Sequence, residues 1–383
     1  MLLRIAAYGI GLAAGLGLLL TFGFVELWST SFFTTDFSAI WAGPHILVTG
    51  GDPYDPSTFR QAVAALGVQP PAAAVYIYPG WVAVLLAPLG ALGLPTASVI
   101  WTALGVLAAT IGLFALLEAY GVRQPIVHTS LAFTLVGSEP GITAFYSGQT
   151  DLLVTGGLAL MAAWLVRGRD GSAGLAAAVM LIKPQHFVLA LPALAVVAAL
   201  RHKRRFAYAI AGVSLALVAL STLVLPHWPA AWLEHVAMTR ASDARAANLP
   251  TALFDMFGPA GRVAGYLVLA ASVAAAVAFG RSRAAVPVWL AVSMSVSPYV
   301  WVYDHIVGIV PLAMAVGMNG ERSGRAATAI AAGGLLIMAV AATLLHGIRG
   351  EGGGSLSLNG LAQFALTALV IASLWHFRRE PVA

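Results

Sequence analysis

The chain has 383 residues, of which 60% are hydrophobic and 9% charged, with a formal net charge of +5 and no cysteine. Its mean hydropathy is +0.88, and a charged fraction so far below the roughly 25% of soluble domains excludes a soluble globular fold. The missing cysteines exclude a disulfide framework, thiolate chemistry and a Cys-ligated metal.

Apolar stretches long enough to cross a bilayer recur along the chain, at 5–27, 75–93, 97–119, 126–146, 151–166, 172–200, 206–225, 263–280, 284–302, 304–318, 326–345 and 360–377. They predict an all-α polytopic membrane protein of about twelve transmembrane helices, forming a single domain over 1–383. The first stretch is too long for a signal-peptide core and reads as a retained helix. Arginines and lysines cluster at 167–169, 201–205, 281–283, 322–325 and 378–379, between apolar spans. That spacing marks cytoplasmic loops by the positive-inside rule and excludes a nucleic-acid face. Arg4 then places the N-terminus in the cytoplasm, and segments 28–74 and 226–262 face outward. Between 75 and 200 the crossing parity depends on whether 172–200 is one helix broken at Lys183-Pro184 or two short ones, so one neighbouring span is expected to be re-entrant or incomplete.

In the first outer segment, Phe37, Ile40, Trp41, Ile46 and Leu47 recur at roughly helical spacing and predict a short amphipathic helix on the membrane surface. Gly50 to Pro56 is a dense turn signal, in which Asp52 and Asp55 read as turn-stabilising residues. Ser57-Thr58-Phe59 opens a second short helix.

Polar groups inside so apolar a chain are costly, and each requires a reason. Asp36 lies just past the first span; it reads either as a general base working on a hydroxyl or as a helix N-cap. Tyr76 and Tyr78 open the second span, as an interfacial belt or as stacking walls for a sugar. Gln149 and Asp151 sit at a turn before a clean apolar helix, where Asp151 caps the helix or the pair binds a polar ligand. Lys183 and His186 fall inside an apolar stretch; a phosphate is the natural partner of such an ammonium, and snorkelling is the alternative. Asp304 and His305 follow an aromatic turn and orient a substrate or pair with each other. His227, His235, Arg240, Asp243 and Arg245 populate the second outer loop, largely as solvated groups, with Arg240 and Arg245 as candidate anion contacts. No His-Glu-x-x-His spacing, P-loop, nucleophile elbow or dinucleotide fingerprint is present, so no metal site or cofactor is expected.

Taken in order, Asp36-Phe37, Gly51-Asp52-Pro53-Tyr54-Asp55-Pro56, Tyr76-Ile77-Tyr78-Pro79, Ala87-Pro88-Leu89, Gly148-Gln149-Thr150-Asp151, Lys183-Pro184 and Ser297-Pro298-Tyr299-Val300-Trp301 with His305 nearby resemble glycosyltransferase family 87. This resemblance implies a GT-C membrane fold and a polyprenyl-phosphate sugar donor, with mannose as the expected sugar. It also implies a lipid or glycan acceptor hydroxyl and an active site on the outer face of a bacterial plasma membrane. Asp36 would then be the catalytic base of an inverting transfer. Lys183, with His186 or an outer-loop arginine, would stabilise the leaving phosphate, and Tyr76, Tyr78, Gln149, Asp151, Asp304, His305 and Arg240 would contact substrate. Gly80-Trp81 stand where the family commonly has a second proline. The rival readings are a secondary transporter or flippase, with Asp36, Asp151 and Lys183 on an ion or substrate pathway, and, behind it, a non-catalytic scaffold.

Overall fold

The computed structural model describes residues 1–27, 36–67, 74–242, 246–280, 282–346 and 358–380, and among them the chain is helical without a β-strand. The first helix, α1 (Leu2–Leu27), is followed in the outer segment by α2 (Asp36–Val48) and α3 (Pro56–Ala64). α2 does not lie on the membrane surface: Phe37, Ile40, Trp41, Ala42, Gly43 and Ile46 are all buried, on more than one face. α3 begins one turn residue earlier than Ser57 because Asp55 caps it, accepting from the Thr58 amide at 2.8 Å, with Pro56 in the first turn where its missing N–H costs nothing.

Three of the expected spans are broken. The stretch at 75–93 forms α4 (Gly80–Leu85) and α5 (Ala87–Gly90), because Pro88 cannot continue α4. After the long α6 (Leu94–Ala119), the stretch at 126–146 divides into α7 (Pro125–Gly137) and α8 (Glu139–Tyr146), with Ser138 capping α8 through the Gly141 amide. α8 meets α9 (Asp151–Val166) at 120°. The stretch at 172–200 becomes α10 (Asp170–Ala177), two 3₁₀ turns on either side of Lys183, and α11 (Ala190–Leu200). Pro184 disfavours helical backbone at Lys183, which takes φ −129° and ψ 69°. Between 75 and 200, where one re-entrant or incomplete span is expected, one apolar helix pair, α8 and α9, is sharply bent, and the chain also breaks at Lys183.

The remaining elements are α12 (Arg204–Val224), α13 (Trp228–Ser242), α14 (Leu249–Val277) and α15 (Ala285–Val296), a 3₁₀ turn over Val302–Gly308, and α16 (Ile309–Gly320). They end with α17 (Gly324–Leu335), which runs through a π segment into α18 (Ala342–His346), and α19 (Asn359–Leu374). Segment 226–262 is not a loop: it holds α13 and the start of α14, which bends at Gly258-Pro259. Seven helices among the described residues are long and apolar enough to cross a membrane: Leu2–Thr21, Leu94–Ala119, Arg204–Val224, Leu249–Val277, Val302–Gly320, Gly324–Leu345 and Asn359–Arg379. This is an integral, all-α membrane protein.

Two packing features place the site. α6 and α9 cross with Gly112 against Gly156, and a methyl group on either would strike the partner's backbone, so small residues let the helices approach closely. Basic clusters between the helices meet acidic partners: Arg283 pairs with Glu321 at 2.6 Å and with Glu380 at 3.3 Å, and Arg322 pairs with Glu380, while Arg201 reaches the Ser282 carbonyl.

Candidate active site

Segment 75–79 is neither helix nor strand, yet three successive carbonyls in it are satisfied, two from α13 and one from the turn before α3. His235 Nδ1 donates to the Tyr76 carbonyl at 2.8 Å, Trp232 Nε1 to Ile77 at 2.9 Å, and the Tyr54 hydroxyl to Tyr78 at 2.6 Å. Buried carbonyls demand partners, and here the partners fix one wall of a cavity. His235, expected to be solvated, is buried for this reason. Tyr76 and Tyr78 are also buried, in an aromatic cluster with Tyr54 and Phe59, and do not form an exposed interfacial belt.

The opposite wall is the turn between α8 and α9. Gly148 adopts φ +62°, a left-handed conformation open to glycine at no steric cost. A methyl group there would stand 2.6 Å from the Phe37 Cβ. The Trp101 indole holds this turn by donating to the Gly148 carbonyl at 2.8 Å and stacking on Phe37, while the Phe37 amide donates to the Ser147 carbonyl at 3.0 Å. The start of α2 is thus sewn to the turn, and Asp36 is brought beside Gln149, whose Nε2 donates to Asp36 Oδ2 at 2.8 Å. Asp36 is the first residue of α2 and its carboxylate is exposed.

Behind Gln149 lies a buried ionic cluster. Lys183 Nζ stands 2.6 Å from Asp151 Oδ2, 2.6 Å from Asp304 Oδ1 and 3.2 Å from Gln149 Oε1, with the Tyr303 ring 4.9 Å away. Asp304 is fixed in turn by the Trp301 amide at 2.6 Å. The anion that Lys183 meets is a pair of carboxylates. An ammonium has three N–H bonds, and these three acceptors engage all of them, so none is left for a phosphate. The trio carries a formal charge of −1. His186 Nε2 lies 3.7 Å from Asp304 Oδ2, and Asp151, His186 and Asp304 bring potential ligand atoms within 4.8 Å of one another. That set resembles a cation site, which sequence spacing did not reveal because its members come from three distant segments. The point between its two carboxylates is taken by the lysine ammonium.

A cavity of about 380 Å³ opens between these walls, lined by Asp36, Tyr76, Tyr78, Gln149, Lys183, His186 and Asp304 among the expected residues. That volume lies within the roughly 300–1,000 Å³ of small-molecule sites. Gln185, Tyr299, Trp301 and Tyr303 also line it. The side chains of Gln185 and Tyr303 have no hydrogen-bond partner among the described residues and are free to meet a ligand. Their signal was their place beside Lys183 and Asp304 in polar breaks of apolar stretches. Asp151 stands behind the lining, and His305 turns away, donating to the Ala247 carbonyl at 3.0 Å. Arg240 lies in the last turns of α13, where its side chain is outside the described residues.

No curated protein and no solved structure matches the chain. Residues 76–301 match glycosyltransferase family 87, a range that includes Tyr76, Tyr78, Gln149, Asp151, Lys183 and His186, while Asp304 lies three residues past its end and Asp36 lies 40 residues before its start. With more than half of its length matched, and with the membrane-spanning helices that such enzymes require, the chain belongs to glycosyltransferase family 87 and is a membrane glycosyltransferase.

Proposed function

We propose that the protein transfers a hexose, mannose in the first instance, from a polyprenyl-phosphate donor to a hydroxyl of a lipid or glycan acceptor. The reaction takes place at the outer face of a bacterial plasma membrane, with inversion at the anomeric carbon. The observation that carries this reading is the Asp36 carboxylate at the cavity, held by Gln149 through one oxygen. Its other oxygen has no hydrogen-bond partner among the described residues. A base in this position accepts the acceptor hydroxyl's proton as the new O–C1 bond forms and the C1–O bond to phosphate breaks. The bonding electrons leave with polyprenyl phosphate.

Neutral donors serve the phosphate better than Lys183 does, because the ammonium is saturated. Gln185 and Tyr303 line the same cavity, and donors fixed before reaction stabilise a leaving anion without reorganisation. Tyr76, Tyr78, Tyr299 and Trp301 give the sugar aromatic walls. Membership of the family sets aside the transporter and scaffold readings. The test is release of polyprenyl phosphate from a polyprenyl-phosphate mannose donor by purified protein supplied with a lipid or glycan acceptor extract. Release that depends on the acceptor supports the reading. Absence of release with every polyprenyl-phosphate sugar tried, alongside turnover of a nucleotide sugar, overturns the donor class.

A further inference from the structure

We propose that Lys183 is a positioning residue: it fixes the polarity of the Gln149 amide and thereby aims a hydrogen bond at one oxygen of Asp36. This inference rests on the reading of Asp36 as the base. The two ends of a carboxamide are alike in shape but opposite in chemistry, so the neighbours decide which end faces which way. Gln149 lies between a group that only donates, the Lys183 ammonium at 3.2 Å, and a group that accepts, the Asp36 carboxylate at 2.8 Å. In the observed orientation both contacts are hydrogen bonds. Reversed, the amide would set N–H against N–H on one side and oxygen against oxygen on the other. The Tyr78 hydroxyl, 3.5 Å from Oε1, adds a weaker vote for the observed orientation.

Lys183 holds this role because it cannot move. Asp151 and Asp304 grip it from α9 and from the 3₁₀ turn before α16, and all three groups are buried. Gln149 sits two residues before Asp151, on the turn that Gly148 permits. Ammonium, amide and base therefore form one chain of contacts from the protein interior to the cavity. Asp36 is left with one oxygen bonded and the other available, which is the state an acceptor hydroxyl needs. A mobile amide would instead offer its own oxygen to that hydroxyl or push Asp36 aside.

The test uses full-length protein in detergent or nanodiscs, a polyprenyl-phosphate mannose donor, and the variants Asp36→Asn, Gln149→Leu, Gln149→Glu, Lys183→Met and Lys183→Met/Gln149→Leu. Gln149→Glu keeps the bond to Lys183 and loses the one to Asp36. It is expected to lower kcat about 100-fold while the donor KM stays within about threefold, since misplacement of a reacting group by about 1 Å costs on this order. Lys183→Met is expected to lower kcat similarly, and in the Gln149→Leu background to cost less than about threefold more, because groups acting through one another are non-additive. Where Lys183→Met does not yield folded protein, Lys183→Arg replaces it in the same cycle: its planar fork cannot meet three acceptors around one point. Full kcat in both Gln149 variants, or losses that multiply in the double variant, overturns the inference. Asp36→Asn separates the two readings. If it is inactive while the Gln149 variants are fully active, only the role of Lys183 falls; if it is fully active, the base itself is misassigned.

Discussion

Gly148→Ala tests whether the α8–α9 turn places the catalytic carboxylate. The new methyl group would lie 2.6 Å from the Phe37 Cβ, about 0.8 Å short of the 3.4 Å at which ordinary contact begins. Phe37 Cβ is bound directly to the backbone of α2, so it cannot rotate away as the tip of a flexible side chain would. Either α2 or the turn must shift by nearly an ångström. Asp36 and Gln149 are the immediate chain neighbours of the two colliding residues, so the shift falls on the hydrogen bond between them. A non-glycine residue at φ +62° adds about 1–3 kcal/mol of strain, at the low end for alanine. The fold survives this, since the turn remains held by Trp101 and by the Phe37 amide. Catalysis does not: displacement of this size costs about 100-fold in kcat, or about 2.7 kcal/mol in the barrier. The assay is polyprenyl phosphate release beside a thermal melt of the same preparation. A variant that melts within a few degrees of the parent and works at the parental rate would refute the argument that this turn positions Asp36.

His235→Ala leaves the buried Tyr76 carbonyl without its donor and should cost about 1–3 kcal/mol, read as a fall in melting temperature. His235→Gln should restore part of it. Lys183→Ala vacates the point between Asp151 and Asp304, with His186 adjacent. Millimolar Mn²⁺ or Zn²⁺ should then raise the melting temperature of that variant, by about 2.7 kcal/mol of stability when the ion is at 100 times its Kd. The parent should gain less, and equal shifts in both would show that the ammonium does not hold a cation position. Hydrogen bonds from Ser57 and Thr58 hold the Asp55 carboxyl well below the usual carboxylate range. A carboxyl lowered on folding stabilises the native state above its unfolded pKa and loses that contribution as pH falls. The difference in melting temperature between parent and Asp55→Ala should therefore be present at neutral pH and shrink below about pH 4.

Much of the fold was legible in the sequence, because the bilayer imposes a length and a composition on whatever crosses it. The long spans and the break at Lys183-Pro184 follow from apolar runs and proline, whereas Asp55 was read as a turn residue and caps α3 instead. The start of α14 was missed because Asp255, Arg262 and Gly258-Pro259 interrupt its apolar pattern and made Leu249 onward resemble loop. Asp36, Gln149, Lys183 and Asp304 were each picked out by the cost of a polar group in an apolar setting. That cost says that a partner exists and not which one. Lys183 was expected to meet a phosphate, and its carboxylates come from 32 residues before and 121 residues after it. His235 read as a solvated loop residue because nothing local reveals that its partner is a carbonyl 159 residues away. Gln185 and Tyr303 were passed over because each is a neutral residue beside a charged one that drew the attention.

The most direct measurement of the central claim is the rate of polyprenyl phosphate release by Asp36→Asn, which exchanges one carboxylate oxygen for an amide and removes the base at nearly constant shape. We predict a parental melting temperature and release reduced by at least about 100-fold, the lower end of a general base's usual contribution. Release at the parental rate from folded Asp36→Asn protein would contradict the account.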